Sequence, residues 1–313
     1  MHVTEYAVPT TPQYIGAGSD GSVYFGYGGN GTGSNLYRFA SGAFSQTPQG
    51  PPPNGYNPGG GVYGIEAIGS QVYWLSAYGG PGFSSYVAVE CGGSGSAKVC
   101  EPTVDEPTSM VIDAGNTFWT GGWTFNGGGA IATSTGASAQ LPDGVVQLVR
   151  GPNQAVWGVL ETYPNYRIVE FAISSGGISI AQSFPLPSGE SAGSITYGGD
   201  GALWFTDSQT DAIGRITSTG TLTEYPLASQ NALGPPWYGL WQIATACDGS
   251  VWFTEPNADK VARIAANGTI AEVPIPTSGG YVDAIAARQE TSCTAPQLWV
   301  AEQRGNKIAS ISY

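Results

Sequence analysis

A short motif recurs seven times along the chain, and this repetition constrains the fold more than any other feature. Each copy is a turn, often Asp-Gly, followed by an apolar or β-branched residue, an aromatic residue and usually another apolar residue. The aligned aromatic residues are Tyr24, Tyr73, Trp119, Trp157, Trp204, Trp252 and Trp299. Their spacing averages about 46 residues, which is typical of the four-stranded blades of a β-propeller. The sequence therefore predicts an all-β fold, a seven-bladed β-propeller of four-stranded antiparallel blades, in which residues 1–313 form one domain.

Two stretches show the strands of a blade most clearly. Residues 202–227 and 250–275 each predict strands B, C and D, joined by a polar turn and then by a Gly-containing turn, and an inner strand A precedes each stretch. The last repeat stops after its strand C, at residues 307–313, whereas Thr4–Val8 (TEYAV) matches the outer-strand sequence TEYPL. We therefore expect the N-terminal strand to complete the last blade, closing the ring and removing an exposed sheet edge.

Composition narrows the classes of partner. The net charge is −13 and only 11% of residues are charged. An acidic surface repels phosphate backbones, so nucleic acid is not an expected partner. No run of 18 apolar residues occurs, so no membrane span is expected. A small-molecule, glycan or peptide ligand remains open, and we expect a monomer.

The four cysteines suggest two disulfides. Cys91 and Cys100 flank a turn-rich segment, as in a stapled hairpin, while Cys247 and Cys293 occupy related positions in successive repeats. Four buried free thiols are the alternative. No C-x-x-C spacing occurs, so a zinc site is not expected. Disulfides together with abundant Ser, Thr and Gly predict an oxidising compartment, and therefore a secreted or periplasmic protein from which a leader has been removed.

The segments WFTDSQTDAIGRITSTGTLTEYPL and WFTEPNADKVARIAANGTIAEVPIPT resemble the streptogramin (virginiamycin) B lyase family. The likeness is close in blades five and six, fair in blade seven and weak in blades one to four. It implies a seven-bladed propeller that opens a cyclic depsipeptide ester by elimination, using an inner-strand histidine base, a second histidine and carboxylates that hold Mg²⁺. Glu255 or Glu302 corresponds to a metal-binding glutamate. The only histidine of this chain is His2, in the predicted outer strand, so lyase activity is not expected.

The loops that join B to C and D to A open on one face of a propeller, where ligands usually bind. In this chain they divide into an aromatic and an acidic set. The aromatic residues are Tyr27, Tyr78, Trp123 and Tyr163 in B–C loops, with Tyr56, Trp237, Tyr238 and Tyr281 in D–A loops. The acidic residues are Asp207, Glu255 and Glu302, each three positions past its anchor. We expect a mouth that is aromatic on one side and acidic on the other.

Three functions follow from this arrangement. The leading hypothesis is a secreted propeller without lyase activity that binds a carbohydrate, peptide or cationic group through Tyr27, Tyr78, Trp123, Tyr163, Trp237 and Tyr238. The second is a lyase or lactonase that uses Mg²⁺ or Ca²⁺ held by Asp207, Glu255 and Glu302, since both ions prefer oxygen ligands. The third is a structural or protein-interaction propeller. A purely structural role is the alternative for these residues. The loop tyrosines would then pack on their own loops, and the carboxylates would act as caps or turn residues.

Overall fold

A computed structural model gives the fold of the chain. It describes residues 1–27, 35–48, 57–68, 71–79, 85–93, 96–101, 106–113, 117–124, 128–175, 177–234, 243–288, 293 and 297–313. Within these residues, 28 strands form seven four-stranded antiparallel sheets. Each sheet is one blade, and its strands A to D follow one another in the chain. The prediction of a seven-bladed propeller is therefore confirmed.

The first six blades use strands that are consecutive in sequence. Blade one consists of β2 (Tyr14–Ala17), β3 (Val23–Gly26), β4 (Asn35–Ala40) and β5 (Ala43–Pro48). Blade two consists of β6 (Asn57–Ile68), β7 (Gln71–Gly79), β8 (Ser85–Gly93) and β9 (Ser96–Glu101). Blade three consists of β10 (Glu106–Ile112), β11 (Phe118–Thr124), β12 (Gly128–Thr133) and β13 (Ser138–Leu141).

The next three blades include blades five and six, which contain the best-preserved repeats. Blade four consists of β14 (Gly144–Arg150), β15 (Val156–Thr162), β16 (Asn165–Ser174) and β17 (Gly177–Pro185). Blade five consists of β18 (Ile195–Tyr197), β19 (Leu203–Asp207), β20 (Ala212–Ile216) and β21 (Leu222–Pro226). Blade six consists of β22 (Ile243–Thr245), β23 (Val251–Glu255), β24 (Lys260–Ile264) and β25 (Ile270–Pro274). Strands B, C and D of blades five and six lie where the sequence predicts them.

Blade seven joins the two ends of the chain. Its strands are β26 (Val282–Ala287), β27 (Gln297–Glu302), β28 (Lys307–Ser312) and, outermost, β1 (His2–Ala7). β1 pairs with β28 in an antiparallel register. The Lys307 Nζ donates to Glu5 Oε2 at 2.6 Å, and the Tyr6 ring packs against Phe39 of blade one and Trp299 of blade seven. The predicted closure by the N-terminal strand is confirmed.

The core of the ring lies between neighbouring blades. Each innermost strand contacts the innermost strand of the next blade, and β26 contacts β2, so the circle is complete. One apolar cluster joins blades five and six, with Trp204, Leu233 and Phe253 almost completely buried. Of the seven repeated aromatic anchors, all but Tyr73 are buried, and in that blade the adjacent Trp74 is buried. Face-to-face packing of large flat side chains therefore stabilises the propeller, as expected for stacked sheets.

In two repeats, an aspartate in the turn before the anchor binds the indole ring of the anchor. The Asp200 carboxylate accepts a hydrogen bond from the indole Nε1 of Trp204 at 3.0 Å, and Asp113 accepts one from Trp119 at 2.9 Å. The following Gly201 has φ +80°, a left-handed conformation that favours glycine. A buried indole N–H needs a partner, and the turn supplies it.

One of the two expected disulfides lies among the described side chains. Cys247 and Cys293 are bonded, with their Cα atoms 5.4 Å apart, and they link the A–B loops of blades six and seven. Cys91 and Cys100 lie on β8 and β9, whose side chains are outside the described residues.

In the described part of the chain, the helical segments are two 3-10 turns, Pro152–Gln154 and Pro256–Ala258. None of the described helices has the length and apolar character needed to cross a membrane.

The disulfide generates a stability prediction. Replacing Cys247 and Cys293 together by Ser removes a link across 46 residues. We expect the free energy of unfolding to fall by about 2–4 kcal/mol, because the unlinked unfolded chain gains conformational entropy. Urea denaturation followed by tryptophan fluorescence measures the change. A double variant as stable as the parent under non-reducing conditions would contradict the prediction.

Candidate functional site

A central cavity runs along the propeller axis. Its volume is about 790 Å³, and the inner strands of all seven blades line it. Hydrogen bonds join neighbouring blades in its wall: the Ile195 N–H donates to Gln147 Oε1 at 2.7 Å, and the hydroxyls of Thr196 and Thr245 lie 3.0 Å apart. These contacts hold the inner strands of blades four, five and six in fixed positions around the axis.

An acidic side chain that the sequence analysis missed lies in the wall of this cavity. Burial raises the pKa of Glu66 to about 7, and the nearby positive charge of Arg150 opposes that rise. Both residues stand on innermost strands, Glu66 on β6 and Arg150 on β14. The signal in the sequence was a single charged residue within the apolar segment GIEAI.

The predicted mouth aromatics have different environments. Tyr163 is 67% exposed at the tip of the β15–β16 hairpin, and Tyr27 is 45% exposed directly after β3. Trp123 is half-buried, and its ring lies so close to Gly144 that a Cβ there would clash at 2.3 Å. Tyr281 is buried with the Arg304 guanidinium 4.1 Å from its ring centre. Of these four residues, only Tyr163 and Tyr27 therefore have an exposed aromatic ring.

The structure does not describe the side chains of four further residues predicted at the mouth. Tyr56, Trp237 and Tyr238 lie outside the described residues. The backbone of Tyr78 belongs to β7 and pairs with Tyr86, but its side chain is outside the description. Their roles in ligand binding stay predictions.

The three acidic residues predicted at the mouth are buried in the structure. Asp207, Glu255 and Glu302 end strand B of blades five, six and seven, and all three are completely buried. D–A loops pack on this end of the strands: the Ser191 hydroxyl of one loop donates to Asp207 Oδ1 at 2.7 Å, and Asp211 accepts hydrogen bonds from the backbone N–H groups of Ala232 and Leu233 of the next loop, each at 3.1 Å. The carboxylates are thus enclosed within their blades, and the three do not meet in one group.

Asp207 instead belongs to an acidic group that is local to blade five. One carboxylate oxygen from each of Glu190, Asp207 and Glu224 lies within 4.8 Å of the others. Glu190 comes from the D–A loop before β18, and Glu224 comes from the outer strand β21. Burial raises the pKa of Glu224 to about 7, and the charges of Glu190 and Asp207 raise it further. The sequence analysis missed Glu190 and Glu224, since nothing local to them signals the encounter.

A second buried acid lies on an inner strand. Asp283, on β26, is 3% exposed, and its Oδ1 has no hydrogen-bond partner. Burial raises its pKa to about 7, while Arg304 acts in the opposite direction. The neighbouring Val282 pairs with Glu302, whose pKa burial also raises to about 7. A carboxylic acid that titrates near neutral pH has the range of a general base. The sequence signal was one acid in the apolar run YVDAIAA.

The one histidine is remote from these groups. His2 is exposed on β1, the outermost strand of blade seven, and its Nδ1 lies 3.1 Å from the Thr4 hydroxyl. The innermost strands around the axis therefore contain no imidazole base.

The chain is similar to one family of known proteins. A family model described as the virginiamycin B lyase family matches residues 140–313, more than half of the chain. The match extends from the last strand of blade three to the C-terminus, in agreement with the closer likeness of the later blades. No curated protein matches the sequence.

Several solved structures share the fold. Virginiamycin B lyase from Staphylococcus aureus is 20% identical, with 100% of this chain and 99% of that chain covered and a TM-score of 0.72. A catalytically inactive variant of that enzyme with quinupristin has the same identity and coverage and a TM-score of 0.70. YCF48 bound to D1 peptide is 13% identical, with 99% and 97% covered and a TM-score of 0.58. Identities this low establish the fold alone.

Asp283 gives a prediction for the pH dependence of stability. Its folded pKa of about 7 lies above the ordinary value of 3.8 for an aspartate, so the folded state binds more protons between these pH values, and stability falls as pH rises through this range. Asp283→Asn keeps the shape without the charge. We expect it to be more stable than the parent at pH 8, by about 1–4 kcal/mol, and equally stable at pH 4.

Thermal melting of both proteins at pH 4, 6 and 8 measures the difference. Asp200→Asn is the matched control. Burial alone would raise the pKa of Asp200, but hydrogen bonds from Trp204 and Arg215 outweigh burial and lower it. That variant should therefore lose stability at pH 8, the opposite sign. A difference between the parent and Asp283→Asn that is the same at every pH would refute the assignment.

Proposed function

Because this chain belongs to the virginiamycin B lyase family, we propose that it is a ligand-binding propeller of that family, which binds a peptide-like ligand at its mouth and does not carry out histidine-dependent elimination. The observation that carries the proposal is the exposure of two aromatic rings on the face formed by the B–C and D–A loops. Tyr163 and Tyr27 are 67% and 45% exposed there. Exposed tyrosines on one face are typical of surfaces that contact a ligand.

The surroundings of Tyr163 favour a ligand with flat or cationic groups. Glu161, on the same hairpin, accepts a hydrogen bond from the Tyr166 hydroxyl at 2.8 Å, and Asp143 forms an ion pair with Arg167. An open tyrosine face beside carboxylates attracts amines and guanidinium groups through cation–π and charge interactions. Peptides carry such groups, and the net charge of −13 adds a general attraction for cationic ligands.

The fold relatives support a peptide-like ligand at the level of analogy. One neighbour is a lyase with quinupristin, and another propeller is bound to a peptide. Function does not follow from fold, so the argument depends on the tyrosines and carboxylates of this chain. Carbohydrate binding through the same rings is the alternative that a binding screen separates.

The missing imidazole argues against inherited lyase chemistry. The resemblance implies a histidine base on an inner strand, but the one histidine here is exposed on the outermost strand of blade seven. By the resemblance, Glu255 or Glu302 would correspond to a metal-binding glutamate, and both carboxylate oxygens of each are buried without a hydrogen-bond partner. The general base has no histidine counterpart.

A second candidate function rests on Asp283. This buried carboxyl lies on an inner strand and titrates near neutral pH, so it has the properties of a base in a lyase or lactonase that works with carboxylates. Glu302 lies opposite the neighbouring Val282 and would be the residue to hold a divalent ion. The leading proposal and this candidate differ in whether the ligand is chemically changed.

The disulfide between Cys247 and Cys293 supports an oxidising compartment. We therefore propose that the protein works outside the cytoplasm.

The tyrosines give a prediction for binding. We expect Tyr163→Ala to weaken binding of quinupristin, used as the peptide-like probe, about 3- to 10-fold, because an aromatic contact contributes about 0.5–1.5 kcal/mol. Isothermal titration calorimetry measures the dissociation constant. Ile173→Ala is the matched control, since Ile173 is also an exposed apolar residue, 48% exposed, but stands at the other end of the same strand β16. Equal affinity in all three proteins would argue against the mouth as the binding site.

A prediction for chemistry separates the two candidates. We expect no ring opening of quinupristin by the purified protein beyond the uncatalysed rate. Mass spectrometry and chromatography distinguish elimination, which leaves the mass unchanged, from hydrolysis, which adds one water. Ring opening that increases as pH rises through about 7 and disappears in Asp283→Asn would instead establish the second candidate.

A further inference from the structure

Blades five, six and seven share an arrangement of two acids. Each has a completely buried carboxylate at the end of strand B, and each has a glutamate on the outer strand D. The buried carboxylates are Asp207, Glu255 and Glu302. The outer-strand glutamates are Glu224, Glu272 and Glu5, each opposite the same position of strand C. The three blades therefore provide an internal comparison of how one chain balances the same pair of charges.

In blades six and seven a lysine balances the pair. Lys260 is opposite Glu255 in the β23–β24 register and forms an ion pair with Glu272. Lys307 is opposite Glu302 and forms an ion pair with Glu5 at 2.6 Å. Each lysine also lowers the pKa of the buried carboxyl opposite it, against the larger effect of burial. One ammonium group thus interacts with two carboxylates in each blade.

Blade five lacks this lysine. The residue opposite Asp207 in the β19–β20 register is Ala212. Glu224, with no lysine to bind, lies instead close to Asp207 and to a third acid, Glu190. Burial raises the pKa of Glu190 and of Glu224, and the charge of Asp207 raises both further. Three carboxylates therefore meet where the other two blades hold two acids and a cation.

The hydrogen bonds of Asp207 leave one of its oxygens free. Oδ1 accepts from the Ser191 hydroxyl at 2.7 Å and from the backbone N–H groups of Gln209 and Thr210 at 2.9 and 3.2 Å. The side chain is completely buried, yet Oδ2 has no hydrogen-bond partner. Glu190 Oε2 and Glu224 Oε1 are also buried without a partner. Buried polar atoms without a partner require an explanation, and a cation bound within the group would supply one.

We propose that a Ca²⁺ ion binds between Glu190, Asp207 and Glu224, in the place that a lysine ammonium occupies in blades six and seven. The ligand set consists of oxygens alone, which is the preference of Ca²⁺. The carboxylate oxygens lie within 4.8 Å of one another, and ligands about 2.3–2.6 Å from a single Ca²⁺ ion can span such separations. The ion would stabilise the fold of blade five. The proposal does not depend on the ligand proposed for the mouth.

The test compares the melting temperature in Ca²⁺ with that in EDTA at pH 8, above the pKa of about 7 to which burial raises Glu224. We expect saturating Ca²⁺ to raise the melting temperature of the parent by about 5 °C, since a ligand that binds the folded state stabilises it. Terbium(III) reports occupancy independently, through luminescence sensitised by the tyrosine and tryptophan side chains of the protein.

Two variants make the test specific. Ala212→Lys restores the lysine of the other blades, and we expect it to melt higher than the parent in EDTA and to lose the response to Ca²⁺ and the terbium luminescence. Glu224→Gln should also lose both responses. The matched control is Glu272→Gln in blade six, which should keep them.

The outcomes are decisive in either direction. A Ca²⁺ response in the parent and in Glu272→Gln, absent from Ala212→Lys, supports the site. The inference is overturned if the parent melts at the same temperature in Ca²⁺ and in EDTA without terbium luminescence, or if Ala212→Lys responds as the parent does. If Glu224→Gln does not fold, Ala212→Lys still decides, because its lysine has a counterpart in two other blades.

Discussion

The pairing of the first strand with the last is the constraint on which the rest of the propeller depends. Without β1, the outer edge of β28 would be open, and the chain ends would have no backbone bonds joining them. With it, blade seven becomes four-stranded like the others, and Tyr6 packs between Phe39 and Trp299, so the seam itself contributes to the core. The Glu5–Lys307 ion pair spans the same seam. A closed ring fixes the inner strands around the axis and therefore the dimensions of the central cavity.

Within this ring, blades of the same geometry carry different chemistry. The register position opposite the buried strand-end carboxylate holds a lysine in blades six and seven and Ala212 in blade five. A change at this position does not disturb strand pairing, because backbone hydrogen bonds define the sheet whatever the side chain. It does change the local charge, since a buried carboxylate needs a cation or a proton. Repetition thus allows one scaffold to hold several distinct electrostatic sites.

Much of the fold could be predicted because its signals are local. The turn, β-branched residue and aromatic anchor recur at a regular spacing, and TEYAV matches TEYPL, so blade number and ring closure follow from short segments. The Cys247–Cys293 disulfide follows from equivalent positions in successive repeats. The site was less predictable. Strand-end position suggested that Asp207, Glu255 and Glu302 face the mouth, but the D–A loops bury them, and that covering depends on contacts such as those of Asp211 with residues about 20 positions later.

The sequence by itself determined the repeat, the family resemblance and the absence of a histidine from the inner strands, because composition and local pattern need no coordinates. Only the tertiary structure decided which acids meet. Glu190, Asp207 and Glu224 are separate in sequence and lie within 4.8 Å of one another. Antiparallel pairing across three strands brings Asp207 and Glu224 together, and the hydrogen bond from Ser191 to Asp207 holds the loop that carries Glu190. The pKa of Asp283 was likewise decided by burial, which no single segment specifies. Charge interactions depend on distance and on the exclusion of water, and both are properties of the assembled blades.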